Sequence, residues 1–214
     1  MNTSVSIIDY GIGNIYNVQR AFEKCGVEAQ LIDSVEQVQS SSHLILPGVG
    51  AFAKGMYELN KRGFVDSIIS HADQNKPLLG ICLGMQMLLD DSNEFVKTKG
   101  LGIIPGHVEG IPNSNIDGSS HKIPHIGWNE LKPLGGKSNW KKTILEGINP
   151  GEQAYFVHSF TAFPADEKYR LADADYNGRQ ISAVIRKGNT YGCQFHPEKS
   201  GLMGLTILKS FLDF

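Results

Sequence analysis

The sequence predicts an α/β fold: an open, mainly parallel central sheet with helices on both faces and antiparallel extensions in its second half. Three observations carry this expectation. Short apolar, β-branched runs alternate with amphipathic segments from Val5 to Leu89. Those runs are continuously apolar, as strands are when both faces of a sheet are covered. Beyond Gly100 the pattern changes to short strand-like runs divided by Gly and Pro, the mark of antiparallel or mixed strands extending the same sheet.

The elements follow in order. "VSIID", Val5 to Asp9, is a buried strand. Asn14 is a favourable N-cap, Ile15, Val18, Phe22 and Cys25 recur at helical spacing, and Gly26 is the stop. "EAQLI" and "HLILP" are the next strands, the latter ended by Pro47. Helical segments run from about Gly55 to Lys61 and from Phe64 to Asn75. "PLLGI" is a fourth strand, and Leu83 to Leu89 a helix after it. In the second half, "QAYFVHSF", "YRLADAD", "ISAVIRKG" and "TYGCQF" are strand-like, "EGIPNSNIDGSSHK" is a polar surface loop, and Gly204 to Phe211 returns to helical spacing. There is no internal repeat, low-complexity tract or linker, so one domain over residues 1–214 is expected.

Composition narrows the class. The chain has 214 residues, 41% hydrophobic and 20% charged, with a formal net charge of −2, which is the make-up of a soluble globular protein. There is no basic footprint for nucleic acid and no polybasic membrane signal. The three cysteines are far apart and fit neither a zinc motif nor a redox pair, which points to a reducing compartment and to no metal. "MNTSVSIIDYG" lacks the basic and long apolar segments of a leader, and no run reaches the length of a membrane span. A cytoplasmic location is expected.

The chemistry centres on "GICLGMQ". Cys82 lies between Gly80 and Gly84 where an apolar strand passes into a helix. Two readings stand at this point: a small core residue in a tight turn, or a thiol presented by that turn. G-x-C-x-G has the form of a nucleophile elbow with sulfur for oxygen, and ligands gather at the carboxyl ends of parallel strands. A helix N-terminus also favours a thiolate. His196 sits in "GCQFHPEKS", after another apolar strand, with Glu198 two residues on. A carboxylate that near can hold an imidazole in one tautomer, the relation found in a nucleophile–base–acid triad. His43, His71, His107 and His121 have nothing chemical beside them in sequence. "LPGVG" supplies Gly48, Val49 and Gly50, whose backbone amides, with that of Leu83, are candidate oxyanion donors.

Together, "LPGVGAF" at 46–52, "GICLGMQ" at 80–86 and "QFHPEKS" at 194–200 resemble the class I, triad-type glutamine amidotransferases, in that family's order. "DYGIGN", "VQRAF", "TKGLGIIPG", "PHIGWN" and "YFVHSF" narrow the resemblance to the glutaminase subunits of imidazole glycerol phosphate synthase. The resemblance implies a three-layer fold and a single amidotransferase domain. It implies that Cys82 attacks the amide carbon of glutamine, that His196 carries the proton, and that Glu198 orients His196. Gln86 and the backbone of His158, Ser159 and Phe160 match positions that contact glutamine. Asn14, Trp128, Tyr155 and Lys199 match positions facing a (β/α)₈ synthase subunit, which receives the ammonia in a heterodimer; no cofactor is implied. Trp128 also follows Gly127 in a polar neighbourhood, and Trp is enriched as an interface anchor. Asn17, Phe160 and Cys193 stand where the family more often has Ser, Tyr and Val or Phe. A paralogous glutaminase subunit feeding the amidination of a surface-polysaccharide sugar, and a stand-alone thiol γ-glutamyl hydrolase, are the alternatives to histidine synthesis. A non-catalytic homologue is disfavoured by the intact Cys82, His196 and Glu198.

Overall fold

The computed structural model describes residues 4–136 and 140–214. The leader reading falls partly on residues 1–3, outside the described residues. In chain order the strands and α-helices are β1 Val5–Ile8, α1 Ile15–Lys24, β2 Ala29–Ile32, α2 Val35–Ser40, β3 His43–Leu46, α3 Phe52–Lys61, α4 Phe64–Asp73, β4 Leu78–Ile81 and α5 Leu83–Met87. They continue with β5 Asp91–Ser92, β6 Thr98–Lys99, β7 Gly106–Gly110, β8 His125–Glu130, β9 Lys132–Pro133, β10 Gln153–His158, β11 Phe160–Pro164, β12 Arg170–Tyr176, β13 Arg179–Lys187, β14 Thr190–Cys193 and α6 Gly201–Phe211.

The main sheet has eight strands in the order β2-β1-β3-β4-β14-β13-β12-β9. Contacts from β2 through β14 are parallel, and those from β14 to β9 are antiparallel. Its two faces are read directly from strand alternation. Val5, Ile7, Ile45, Leu79 and Ile81 pack with α1 and α6 in one cluster. Ile8, Leu44, Leu46 and Leu78 pack with α3, α4 and α5 in the other. Side chains that alternate across a strand thus each find an apolar layer, which is why these strands carry no polar face. Among the described residues no helix is long and apolar enough to cross a membrane.

The short strands β5 to β9 have no counterpart in the sequence expectation, and four further features differ from it. "QAYFVHSF" does not extend the main sheet. It divides at Ser159: β10 pairs antiparallel with β8, and β11 pairs with β7 in a four-stranded sheet with β5 and β6. The antiparallel extension of the main sheet is made instead by β13, β12 and β9, beyond β14. Second, α2 was not anticipated. Its start is a capping box in which Ser34 accepts from the Gln37 amide and the Gln37 side chain accepts from the Ser34 amide. Third, α3 begins at Phe52, not near Gly55. Its N-terminus is capped from elsewhere in the chain, the Phe52 N–H donating to Glu94 Oε2 at 2.6 Å. Fourth, Asn14 takes the N-cap position of α1, but its side chain makes no capping hydrogen bond; its backbone carbonyl accepts from Asn17 and Val18 instead.

The β4–α5 junction is the most crowded part of the sheet. A Cβ on Gly80 would lie 2.7 Å from both Gly84 O and Met85 N, and a Cβ on Gly84 would run into the Leu46 carbonyl. Both positions therefore exclude any side chain, because the obstacle is backbone. Gly84→Ala is expected to destabilise the protein by about 3 kcal/mol, read as a lowered midpoint in chemical denaturation. An unchanged midpoint would show that α5 is free to move away from β3.

Candidate active site

The carboxyl ends of β3, β4 and β14 lie side by side, since the sheet places these strands next to one another and parallel. The segments that leave them, 47–50, 82–86 and 194–198, therefore meet at one end of the molecule. This is the end of a parallel sheet where backbone groups are not used up by the ladder.

Cys82 is the turning point between β4 and α5. Its backbone is at φ 54° and ψ −108°, a left-handed conformation that a side-chain-bearing residue adopts only under constraint. Two hydrogen bonds impose it: the Cys82 N–H donates to Cys193 O at 2.8 Å, and Cys82 O accepts from the Gln86 N–H at 3.2 Å. The turn brings the side chain into a cleft of about 430 Å³, shared with His196, Val49, Leu83, Gln86 and the 157–160 segment. Of the two readings left open by the sequence, this conformation fits the presented thiol. Cys193, by contrast, is fully buried on β14, where desolvation pushes its thiol well up and keeps it inert.

His196 follows β14 and is held by Glu198, whose Oε1 is 2.8 Å from His196 Nδ1. Both side chains are almost fully buried. With Nδ1 committed to the carboxylate, Nε2 is the nitrogen left for the cleft, and among the described residues it has no hydrogen-bond partner. Burial opposes a charged imidazole here, but the Cys82 sulfur and the Glu198 carboxylate outweigh it and raise His196 from 6.5 to about 9. Because the folded value lies above the ordinary one, the stabilisation from the protonated ring is complete below pH 6.5 and is lost as pH rises through about 9.

The wall of the cleft is a hydrogen-bonded lattice. Gln86 Nε2 donates to Phe160 O at 3.0 Å and to Gln194 Oε1 at 3.1 Å. Gln194 Nε2 in turn lies 3.9 Å from Cys82 Sγ. The Ser159 carbonyl is taken by the Ile111 N–H, and the Phe160 carbonyl accepts from His158 Nδ1 as well as Gln86. Gly48, Val49 and Gly50 lie beside Cys82 as expected, but their amides do not converge with that of Leu83. The Leu83 N–H donates to Gly48 O at 3.3 Å. In a trans peptide the next N–H points opposite to the carbonyl, so the Val49 amide is turned away. Tyr10 steadies this loop, its hydroxyl donating to Pro47 O at 2.6 Å.

Trp128, Tyr155 and Lys199 come together on one surface. Tyr155 pairs with Trp128 across β8 and β10, the rings meet edge-on at 5.9 Å, and Lys199 Nζ lies 6.0 Å over the Tyr155 ring. Trp128 is 54% exposed, so it is a surface residue and not a core one. Asn14 is half-buried at the head of α1. Sequence reasoning passed over Glu94, a buried carboxylate that lines the cleft, and Gln194, buried beside the thiol. Nothing in the spacing of "SNEF" marks Glu94, whereas Gln194 stood two residues before His196 and was open to inspection. It also passed over His125, whose Nδ1 lies 2.9 Å from His158 Nε2.

Replacing Cys82 by Ala removes the foremost influence holding the His196 ring protonated and leaves burial in place. The His196 imidazole value is therefore expected to fall in Cys82→Ala, measured by NMR titration of the ring. An unchanged titration would mean that sulfur and imidazole are not electrostatically paired.

These features have counterparts in known proteins. The family profile "Glutamine amidotransferase class-I" matches residues 6–213. The chain is 51% identical over 211 residues to imidazole glycerol phosphate synthase subunit HisH 1 of Legionella pneumophila (strain Lens), covering 99% of each. It is 43% identical to imidazole glycerol phosphate synthase subunit HisH of Syntrophotalea carbinolica, over 98% of this chain and 99% of that one. Among solved structures, PurLQS from Thermotoga maritima superposes with a TM-score of 0.73 at 19% identity, covering 100% of this chain and 99% of that one, a likeness of fold alone. The chain belongs to the class-I glutamine amidotransferases and, within them, to the HisH family of imidazole glycerol phosphate synthase subunits.

Proposed function

We propose that this chain is the glutaminase subunit of an imidazole glycerol phosphate synthase, hydrolysing glutamine and passing the ammonia to a synthase subunit in histidine biosynthesis. The observation that carries the reading is the strained Cys82 elbow in one cleft with a His196–Glu198 pair whose Nε2 is uncommitted.

The chemistry follows from that geometry. His196 Nε2 faces the Cys82 sulfur across the cleft and is the base that takes the thiol proton as the sulfur attacks. The sulfur attacks the side-chain amide carbon of glutamine. His196 Nε2–H gives its proton to the departing ammonia, then takes one from the water that cleaves the thioester to glutamate. Glu198 keeps Nδ1 protonated and the ring in place. Glu94 supplies negative charge in the cleft for the ammonium of the amino acid, and Gln86 and the 158–160 backbone border the same end. Charge on the developing oxyanion calls for two donors. Only a turned Gly48–Val49 peptide frees the Leu83 amide and brings the Val49 amide inward.

The partner is a (β/α)₈ synthase subunit docked in a heterodimer on the face of Trp128, Tyr155 and Lys199, with Asn14 at its edge, and the pair works in the cytoplasm. Docking turns the Gly48–Val49 peptide, so glutamine is cleaved when the acceptor of the ammonia is in place. The isolated chain is expected to release ammonia about 100- to 1,000-fold more slowly than the complex charged with the synthase ligand, in a coupled glutamate assay. Substantial turnover by the isolated chain would count against the loop mechanism. In the complex, Cys82→Ala is expected to lower turnover by more than about 10⁴-fold, and Glu198→Ala to be roughly a hundredfold milder. Ammonia release surviving Cys82→Ala would remove the thiol from the mechanism.

A further inference from the structure

We propose that Asn129, His125 and His158 form a one-directional hydrogen-bond chain that positions the Phe160 carbonyl, and through Gln86 and Gln194 the wall beside Cys82, for the amino-acid end of glutamine. The inference rests on the reading of Cys82 as the residue that glutamine acylates.

The direction of the chain is fixed at both ends by carbonyls, which only accept. Asn129 Nδ2 donates to Asp175 O at 2.7 Å, and Asn129 Oδ1 accepts from the Glu130 N–H at 2.8 Å, so the amide has one orientation. Its remaining hydrogen faces His125 Nε2 at 3.3 Å, which must then be the acceptor nitrogen of that ring. At the far end His158 Nδ1 is 2.8 Å from Phe160 O and has to carry the hydrogen. His158 Nε2 is therefore an acceptor, and His125 Nδ1 donates to it at 2.9 Å. Every link agrees with a single pair of neutral tautomers. A charged ring would set two N–H groups against each other at one of the joints. Burial holds both rings neutral, lowering His158 to about 3 and His125 to about 4.

The chain ends where the cleft begins. Phe160 O also accepts from Gln86 Nε2, and the same nitrogen donates to Gln194 Oε1, whose amide reaches toward Cys82 Sγ. At its other end it starts on β8, next to Trp128. Two buried histidines and a half-buried asparagine are thus spent on the orientation of one carbonyl in the substrate segment. A histidine pair kept only for packing would not need to satisfy this donor order.

The test separates the hydrogen bonds from the packing of the His125 ring, which is stacked on Tyr176 at 4.1 Å and on Phe156 at 4.9 Å. His125→Phe keeps a stacked ring and removes both nitrogens. His125→Gln keeps one donor and one acceptor and loses the ring. In the complex with its synthase subunit, His125→Phe is expected to raise KM for glutamine about tenfold with kcat changed by less than about threefold, and His125→Gln to keep KM within about threefold. A wild-type KM in His125→Phe, or a larger KM effect in His125→Gln than in His125→Phe, overturns the inference. Asn129→Asp, which removes the first donor at a half-buried position, is expected to raise KM in the same direction should His125→Phe not fold; a wild-type KM there overturns it equally. Protection of Cys82 from iodoacetamide by glutamine, measured in wild type and His125→Phe, distinguishes the two levels. Protection weakened in His125→Phe supports the chain, and equal protection in both overturns it alone. No protection in wild type overturns the reading of the cleft, and the chain with it.

Discussion

The backbone of Cys82 is the constraint on which the rest of the site depends. A residue with a side chain resists φ near 54°, at a cost of order 1–3 kcal/mol, and keeps it only where its surroundings allow nothing else. The surroundings here are the β14 carbonyl that takes the Cys82 amide, the α5 amide that takes its carbonyl, and two glycines jammed against backbone. Since β14 also delivers Gln194, His196 and Glu198, the strand that strains the thiol is the strand that brings its base. Position and reactivity come from one set of contacts.

Histidines show how far surroundings decide behaviour. His196, His158 and His125 sit near one another and all are buried. Burial alone would lower each. His196 goes the other way because a sulfur and a carboxylate flank it, whereas His158 and His125 meet mainly each other and neutral acceptors. The same side chain is a proton carrier in one place and a rigid connector a few ångströms along.

The legible parts of the sequence were those governed by neighbours in the chain. The continuous apolar runs "VSIID" and "HLILP", the stop at Gly26 and the G-x-C-x-G turn all appear where local signals put them. Local signals also contained α2, since Ser34 and Gln37 stand at capping-box spacing, and that pattern went unread. The rest was set at long range. No nearby residue announces that Glu94 caps α3 from 42 positions away, so neither the start of that helix nor the carboxylate in the cleft was legible. "QAYFVHSF" has the pattern of one strand, and it divides because its two halves pair with partners distant in the chain, β8 and β7, in two smaller sheets. The His125–His158 pairing depends on the register of β8 with β10, which composition does not encode.

The position of β14 has a consequence in time. It is the last strand of the chain and lies in the middle of the main sheet, between β4 and β13. While the ribosome is still short of residue 190, β4 has one bare edge, Cys82 lacks the carbonyl that locks its turn, and no imidazole stands beside the sulfur. A nascent or prematurely ended chain therefore contains the thiol but not the arrangement that makes it reactive. Reactivity arrives in a single late step, when the strand carrying the base closes the gap.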